Sequence, residues 1–280
     1  MTQSQRIVIK PGSKNKGYWK DIWNFRGLFY FLSWRDIIVR YKQTAIGLAW
    51  SVLRPLITII VFTLVFNKVA NFPIENGVPY AIMVCAGMLP WQFFSNAFSE
   101  SANSLVTNSN LLTKVYFPRI IVPISSVIVS LIDFFISIVI LFGLFLFYHY
   151  LPGWNIFFLP FFLILAILTA IGSGLFIATL NVKYRDFRYI IPFIVQFGLY
   201  VSPVGYSSGS VCLKLSPILK FFYFLNPMVG IIDGFRWCLT NGNAVLYLPG
   251  VMMSCVSSVL LMVIGIYYFR KSEKKFADII

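Results

Sequence analysis

A chain of 280 residues that is 59% hydrophobic and 11% charged cannot offer a water-soluble surface, since soluble domains carry about 25% charged residues. Its Lys and Arg outnumber Asp and Glu by 23 to 9, for a formal charge of +14. The basic residues flank apolar runs in short segments, which suits anionic lipid headgroups rather than nucleic acid. Cys85, Cys212, Cys238 and Cys255 lack C-x-x-C spacing and His149 has no ligand partner nearby in sequence, so a disulfide framework or metal site is not expected.

The predicted fold class is an all-α integral membrane protein with six transmembrane helices, an N-terminal amphipathic interfacial helix and two short re-entrant helices on the outer side before the last span. Residues 1–18 read as a flexible basic tail and 19–42 as the cytoplasmic interface helix. Residues 43–270 form the six-helix transmembrane domain, and 271–280 a cytoplasmic C-terminal tail. In the interface segment Trp19, Trp23, Tyr30 and Trp34 recur near helical spacing with Lys20, Arg26, Arg35 and Arg40 between them. An ordinary aromatic belt before a span explains the same residues. No cleavable signal peptide precedes the first apolar run, which is expected to serve as its own insertion signal.

Crossing the hydrocarbon core takes about 20 mostly apolar residues, and a helix satisfies its backbone internally. Six stretches qualify: Ile46–Phe66, Tyr80–Phe98, Ile120–Tyr148, Phe157–Leu180, Tyr189–Tyr206 and Tyr247–Phe269. Lys and Arg concentrate in the N-terminal tail, in the second-to-third loop (Lys114, Arg119), in the fourth-to-fifth loop (Lys183, Arg185, Arg188) and in the C-terminal tail. That bias orients both termini to the cytoplasm. Lys68, Lys214, Lys220 and Arg236 fall outside.

Ionisable residues within a span are functional candidates by default. Arg54, followed by Pro55, lies near enough to the cytoplasmic end of the first span to snorkel. Asp133 falls near the middle of the third, too short to reach water, and no Glu, His or Lys stands at helical spacing to form a relay. A packing or dimer-interface hydrogen-bond site and a transport-coupling group both fit it. Between the second and third spans, Asn108 to Pro118 form a helix-compatible segment capped by Asn and stopped by Pro, offering exposed Leu and aromatic knobs to a partner. On the outer side Pro217–Leu225 and the stretch to Leu239 are each too short to cross, and Asn226-Pro227 starts a new helix between them. Asp233 and Arg236, three apart, read as an intrahelical ion pair. A G-x-x-x-x-G-K-[ST] loop, paired loop carboxylates and a nucleophile with its base are absent from the sequence, so an enzyme is not expected.

At WRDIIVRYKQT (34–44) with Gly47 and Trp50, LLTKVYFPR (111–119), VKYRDFRY (182–189), Ser202-Pro203-Val204 and Leu225-Asn226-Pro227-Met228, the chain resembles the membrane-spanning permease subunits of type-2 ABC exporters of lipid-linked polysaccharide. Those are the O-antigen, capsule and teichoic-acid exporters, and the likeness is closest to the O-antigen branch. Gly205 and Ser207–Ser210 depart from that branch. The resemblance implies a permease subunit of the bacterial inner membrane that homodimerises and binds two copies of a separate ABC ATPase. That partner would carry ATP and Mg, while this chain would hold no cofactor and no metal.

Undecaprenyl-linked polysaccharide is the implied cargo, moved from the cytoplasm across the inner membrane. The implied ATPase-coupling interface comprises Trp23, Trp34, Asn110, Leu111, Leu112, Lys114, Tyr116, Phe117, Pro118 and Arg119. The implied outer gate is Pro217, Asn226, Pro227, Asp233 and Arg236. Candidates for the substrate path are Tyr41, Trp91, Phe94, Asp133, Phe197 and Tyr200. The alternative reading is an ion-coupled, stand-alone flippase of lipid-linked glycan using Asp133. A membrane-embedded transferase would need an acidic loop with a metal or base, which the sequence lacks.

Overall fold

In hydrocarbon a backbone must close its own hydrogen bonds, and the described residues accordingly form helices and no strand. The structure, a computed structural model, describes residues 18–42, 48–65, 77–184, 186–212, 215–244, 246–273 and 276. The expected basic tail to position 17, the motif residues Gln43, Thr44 and Gly47, and Lys68, Arg185 and Lys214 lie outside them. In chain order come α1 (Tyr18–Asn24), α2 (Arg26–Lys42), α3 (Leu48–Phe62), α4 (Tyr80–Thr107), α5 (Ser109–Lys114) and α6 (Ile121–Phe147). A 3-10 turn, Trp154–Phe158, leads into α7 (Leu159–Lys183), α8 (Phe187–Val201) and α9 (Ser208–Cys212). The chain closes with α10 (Pro217–Leu225), α11 (Pro227–Leu239) and α12 (Leu248–Ser272).

Helix α4 is the central post. Its most apolar stretch is 89% buried by protein, against 33% for α6 and 28% for α12, whose outward faces are left for lipid or another chain. It packs along both α6 and α7, and α7 packs along α12. Lipid tails supply no hydrophobic drive between helices, so close approach and buried polar contacts hold such pairs. Gly172 on α7 and Gly265 on α12 meet so tightly that a Cβ on Gly265 would collide with the Gly172 backbone. Nearby, Thr169 Oγ1 donates to Ser258 Oγ at 2.9 Å.

Among the described residues four helices are long and apolar enough to cross a membrane: α4, α6, α7 with its preceding turn, and α12. The pair α10 and α11, bent by 81° at Asn226, counts as a fifth if a bent pair makes one crossing. The apolar helices Ala49–Val65 and Phe187–Val201 are shorter. Against the six stretches read from the sequence, α4 extends nine residues further, through polar positions to Thr107. The fifth stretch differs the other way. Its helix stops at Val201, with Ser202 extended (φ −88°, ψ 146°), because the residue before a proline is driven out of the α region. Residues 202–205 are instead a buried irregular segment.

The interface segment is helical from Tyr18 to Lys42 with one break at Phe25, and α2 lies against α6. Trp19, Trp23, Tyr30 and Trp34 are exposed while Leu32 and Ser33 are buried.

Candidate functional site

Where α2, α3, α4, α6 and α8 converge, a cavity of 420 Å³ opens within the bundle. The C-terminal turn of α2 supplies Arg40 and Tyr41, α3 supplies Trp50 and Arg54, α4 supplies Trp91 and Gln92, and α6 supplies Ser130 and Asp133. Asp133 is therefore not isolated. Its Oδ2 lies 2.9 Å from Arg40 Nη2, and its Oδ1 accepts from the Tyr41 hydroxyl at 2.6 Å. Arg40 also approaches Glu100 of α4 at 3.4 Å. Sequence reading misses the pairing because the partners stand 92 positions apart, and a search at helical spacing around Asp133 cannot reach them.

The other substrate-path candidates divide. Trp91 lines the cavity and packs against Phe94, ring centroids 5.5 Å apart, whereas Phe94 is buried in the core and stacks on Phe98. Phe197 and Tyr200 lie on the exposed face of α8, with Phe193 and Phe197 in ring contact. Polar groups set in mostly apolar walls with flat indole faces suit a hydroxylated or anionic guest, since aromatic surface packs while neighbouring donors orient.

On the side of the α4–α6 connection, the coupling candidates also divide. Trp23, Trp34, Asn110, Lys114 and Tyr116 are exposed and Leu111 is partly buried. Leu112, Phe117 and Pro118 are buried, which corrects the expectation that this segment presents its Leu and Phe outward. A six-residue helix cannot hold its place by its own hydrogen bonds, so these side chains anchor α5 to the bundle. Arg35 of α2 donates to Asn108 Oδ1 at the α4–α5 junction, 2.8 Å away. Thus α2 is tied to α5 through Arg35 and to the cavity through Arg40 and Tyr41.

Arg119 belongs to a second cluster that sequence reading misses. Glu273, just past α12, accepts from the Arg119 backbone N–H at 2.7 Å and from the Tyr18 hydroxyl at 2.9 Å. Arg119 Nη1 donates to the Glu273 carbonyl at 2.6 Å, and the Arg270 guanidinium sits 4.5 Å from the Tyr18 ring centre. Burial pushes the Glu273 carboxyl above its ordinary value, against the Tyr18 and Arg119 hydrogen bonds, which pull it down.

At the opposite end, Asn226 caps α11, its Oδ1 accepting from Met228 N at 3.1 Å, while its Nδ2 donates to Ser202 Oγ at 3.0 Å. Pro227 follows at the first helical position, as expected of a helix start. Pro217 is exposed, whereas Asp233 and Arg236 are 5% and 2% exposed. Arg236 donates to the carbonyls of Val204 and Tyr206 at 2.6 and 2.5 Å, and the Tyr80 hydroxyl donates to Gly205 O at 2.8 Å. Carbonyls freed where α8 ends thereby find donors inside the protein, the condition for irregular backbone at membrane depth. Gly87 makes room for this, because a Cβ there would meet Val204 O and the Arg236 side chain.

Apolar spans packed around a cavity that holds charged and polar side chains, with an aromatic-rich helix reaching that cavity, suit a multi-pass membrane transport subunit. The family model of the ABC-2 type transporter matches residues 27–240, and the chain belongs to that family. It is similar to curated proteins named O-antigen export system permease protein RfbA. A relative from Klebsiella pneumoniae is 27% identical over 256 residues, 88% of this chain and 92% of its own length. One from Myxococcus xanthus is 26% identical over 259 residues, covering 92% and 97%.

Proposed function

We propose that this chain is the permease subunit of an ATP-driven exporter that carries O-antigen-like, undecaprenyl-linked polysaccharide from the cytoplasm across the bacterial inner membrane. In this reading the protein has six spans and both termini in the cytoplasm. α3 and α8 complete the set as short spans, and α10 with α11 forms a re-entrant pair at the outer gate. Two copies assemble with two copies of an ABC ATPase, which holds ATP and Mg. The family supports association with such an ATPase, and the names of the relatives support the polysaccharide.

The observation that carries the proposal is the double attachment of α2. Arg35 grips Asn108 beside α5, and five residues further along the same helix Arg40 and Tyr41 grip Asp133 at the cavity. A helix is stiff over this length, so a displacement of α5 by a partner becomes a displacement of one cavity wall. Trp23, Trp34, Asn110, Lys114 and Tyr116 supply the exposed docking groups, while Leu112, Phe117 and Pro118 transmit the load inward. The ion-coupled alternative is not favoured, because the carboxylate it needs is already engaged by Arg40 and Tyr41.

Co-expression with the ATPase encoded beside it tests the proposal. The expected result is a stable complex whose ATP hydrolysis drives transport and whose transport survives collapse of the ion gradients. A chain that recruits no ATPase, or transport abolished by an ionophore with ATP present, refutes it.

A further inference from the structure

We propose that the cavity is a binding site for a phosphate or diphosphate group, with Arg54 as its primary cation and Arg40 as a second cation that the anion takes from Asp133. The proposal deepens the export reading only in naming the carrier of that group, a polyprenyl lipid. The anion chemistry itself stands on the charges around the cavity.

Three charged side chains line it: Arg40, Arg54 and Asp133. Arg40 sits between two carboxylates, Asp133 at 2.9 Å and Glu100 at 3.4 Å, and its charge is compensated. Among the described residues no carboxylate forms an ion pair with Arg54. The lining residues by themselves therefore carry one net positive charge, Glu100 lying beyond the walls, and Arg54 is exposed, so its guanidinium is open to an anion that enters the cavity. A second observation points to a polar guest. Ser130, fully buried on α6, lines the same cavity, and its hydroxyl has no hydrogen-bond partner among the described residues. Gln92, Asn96 and Gln196 add neutral donors.

Guanidinium groups bind phosphate oxygens through paired, charge-assisted hydrogen bonds, and two such groups match the charge of a diphosphate better than that of a neutral sugar. An anion seated at Arg54 competes with Asp133 for Arg40. As Arg40 turns to the anion, Asp133 keeps only the Tyr41 hydroxyl, and the tie between α2 and α6 weakens. Because α2 also holds Asn108, occupancy of the cavity is felt at α5. The site thus reports its guest toward the driven face.

Binding to the purified full-length chain in detergent tests this, with undecaprenyl diphosphate, undecaprenol and inorganic pyrophosphate as probes. Arg54→Gln should weaken undecaprenyl diphosphate by about tenfold or more, the loss of one charged hydrogen-bonding partner, and leave undecaprenol unchanged. Arg54→Lys should restore part of the affinity. Asp133→Asn should tighten diphosphate binding several-fold by releasing Arg40, a gain that a misfolded variant cannot produce. If pyrophosphate alone binds as tightly and with the same Arg54 dependence, the carrier is a free phosphate and the lipid assignment is overturned. Diphosphate binding that is absent, or indifferent to Arg54, overturns the site, and an Asp133→Asn variant with no gain overturns the displacement. Recruitment of the ATPase is scored separately: a chain that binds the diphosphate lipid through Arg54 but recruits no ATPase refutes the export reading and leaves the site standing.

Discussion

Arginines and carboxylates taken into the interior of this protein are answered by other groups. Arg236 is answered by carbonyls, Arg40 by Asp133, and Glu273 by Tyr18 and Arg119. Glu273 gives a pH prediction. Burial raises its folded pKa above the unfolded value, so its contribution is fully present below the unfolded pKa and is lost as pH rises through the folded one. Acidification from neutral pH should therefore strengthen the junction of α1, α6 and α12. Glu273→Gln, which keeps an acceptor but cannot ionise, should flatten the dependence in thermal unfolding of the purified chain. A wild-type profile identical to that of Glu273→Gln would contradict the assignment. At Gly265 the constraint is steric: Gly265→Ala drives a methyl into the Gly172 backbone and should cost about 1–3 kcal/mol, read as a lower unfolding temperature. An unchanged temperature would mean that α7 and α12 are not packed this closely.

Among the elements, those defined by local chemistry are legible in the sequence. The break at Asn226-Pro227 announces α10 and α11 because cap and N1 proline act within a few residues, and the Pro203 signal explains why α8 stops early. Apolar runs locate α6, α7 and α12. The polar extension of α4 is harder to read, since Ser101 and Ser104 are buried by protein rather than lipid, Asn103 is partly buried, and these positions break the hydropathy pattern. The cavity is less legible still. Trp91 and Asp133 can be singled out as residues, but their union with Arg40 and Arg54 depends on how five helices converge. Likewise, Leu112 and Phe117 look like knobs because a sequence does not show which face of a six-residue helix the bundle covers.

Asn226→Ala removes the α11 cap and the bond to Ser202, and should cost about 1–2 kcal/mol of stability, measured by thermal unfolding; a neutral result would mean that the cap is replaced. Arg35→Ala cuts the tie between α2 and Asn108. In the assembled exporter it should leave ATP hydrolysis running while transport falls several-fold, and loss of both activities together would contradict the α2 linkage.

The whole molecule has a central post, α4, surrounded by lipid-facing helices, with α2 lying along α6 on one side. One face of the cavity is built from α2, and the far end of the bundle holds a buried arginine and a bent helix pair. A single copy leaves apolar faces on α3 and α8 uncovered, for lipid or another chain. The most direct test of ATP-driven export is reconstitution of the chain with its ATPase in sealed vesicles, following lipid-linked polysaccharide across the bilayer. Movement that requires ATP and fails when the ATPase is catalytically dead is the expected result. Movement without ATP, driven by an imposed ion gradient and lost in Asp133→Asn, would contradict it.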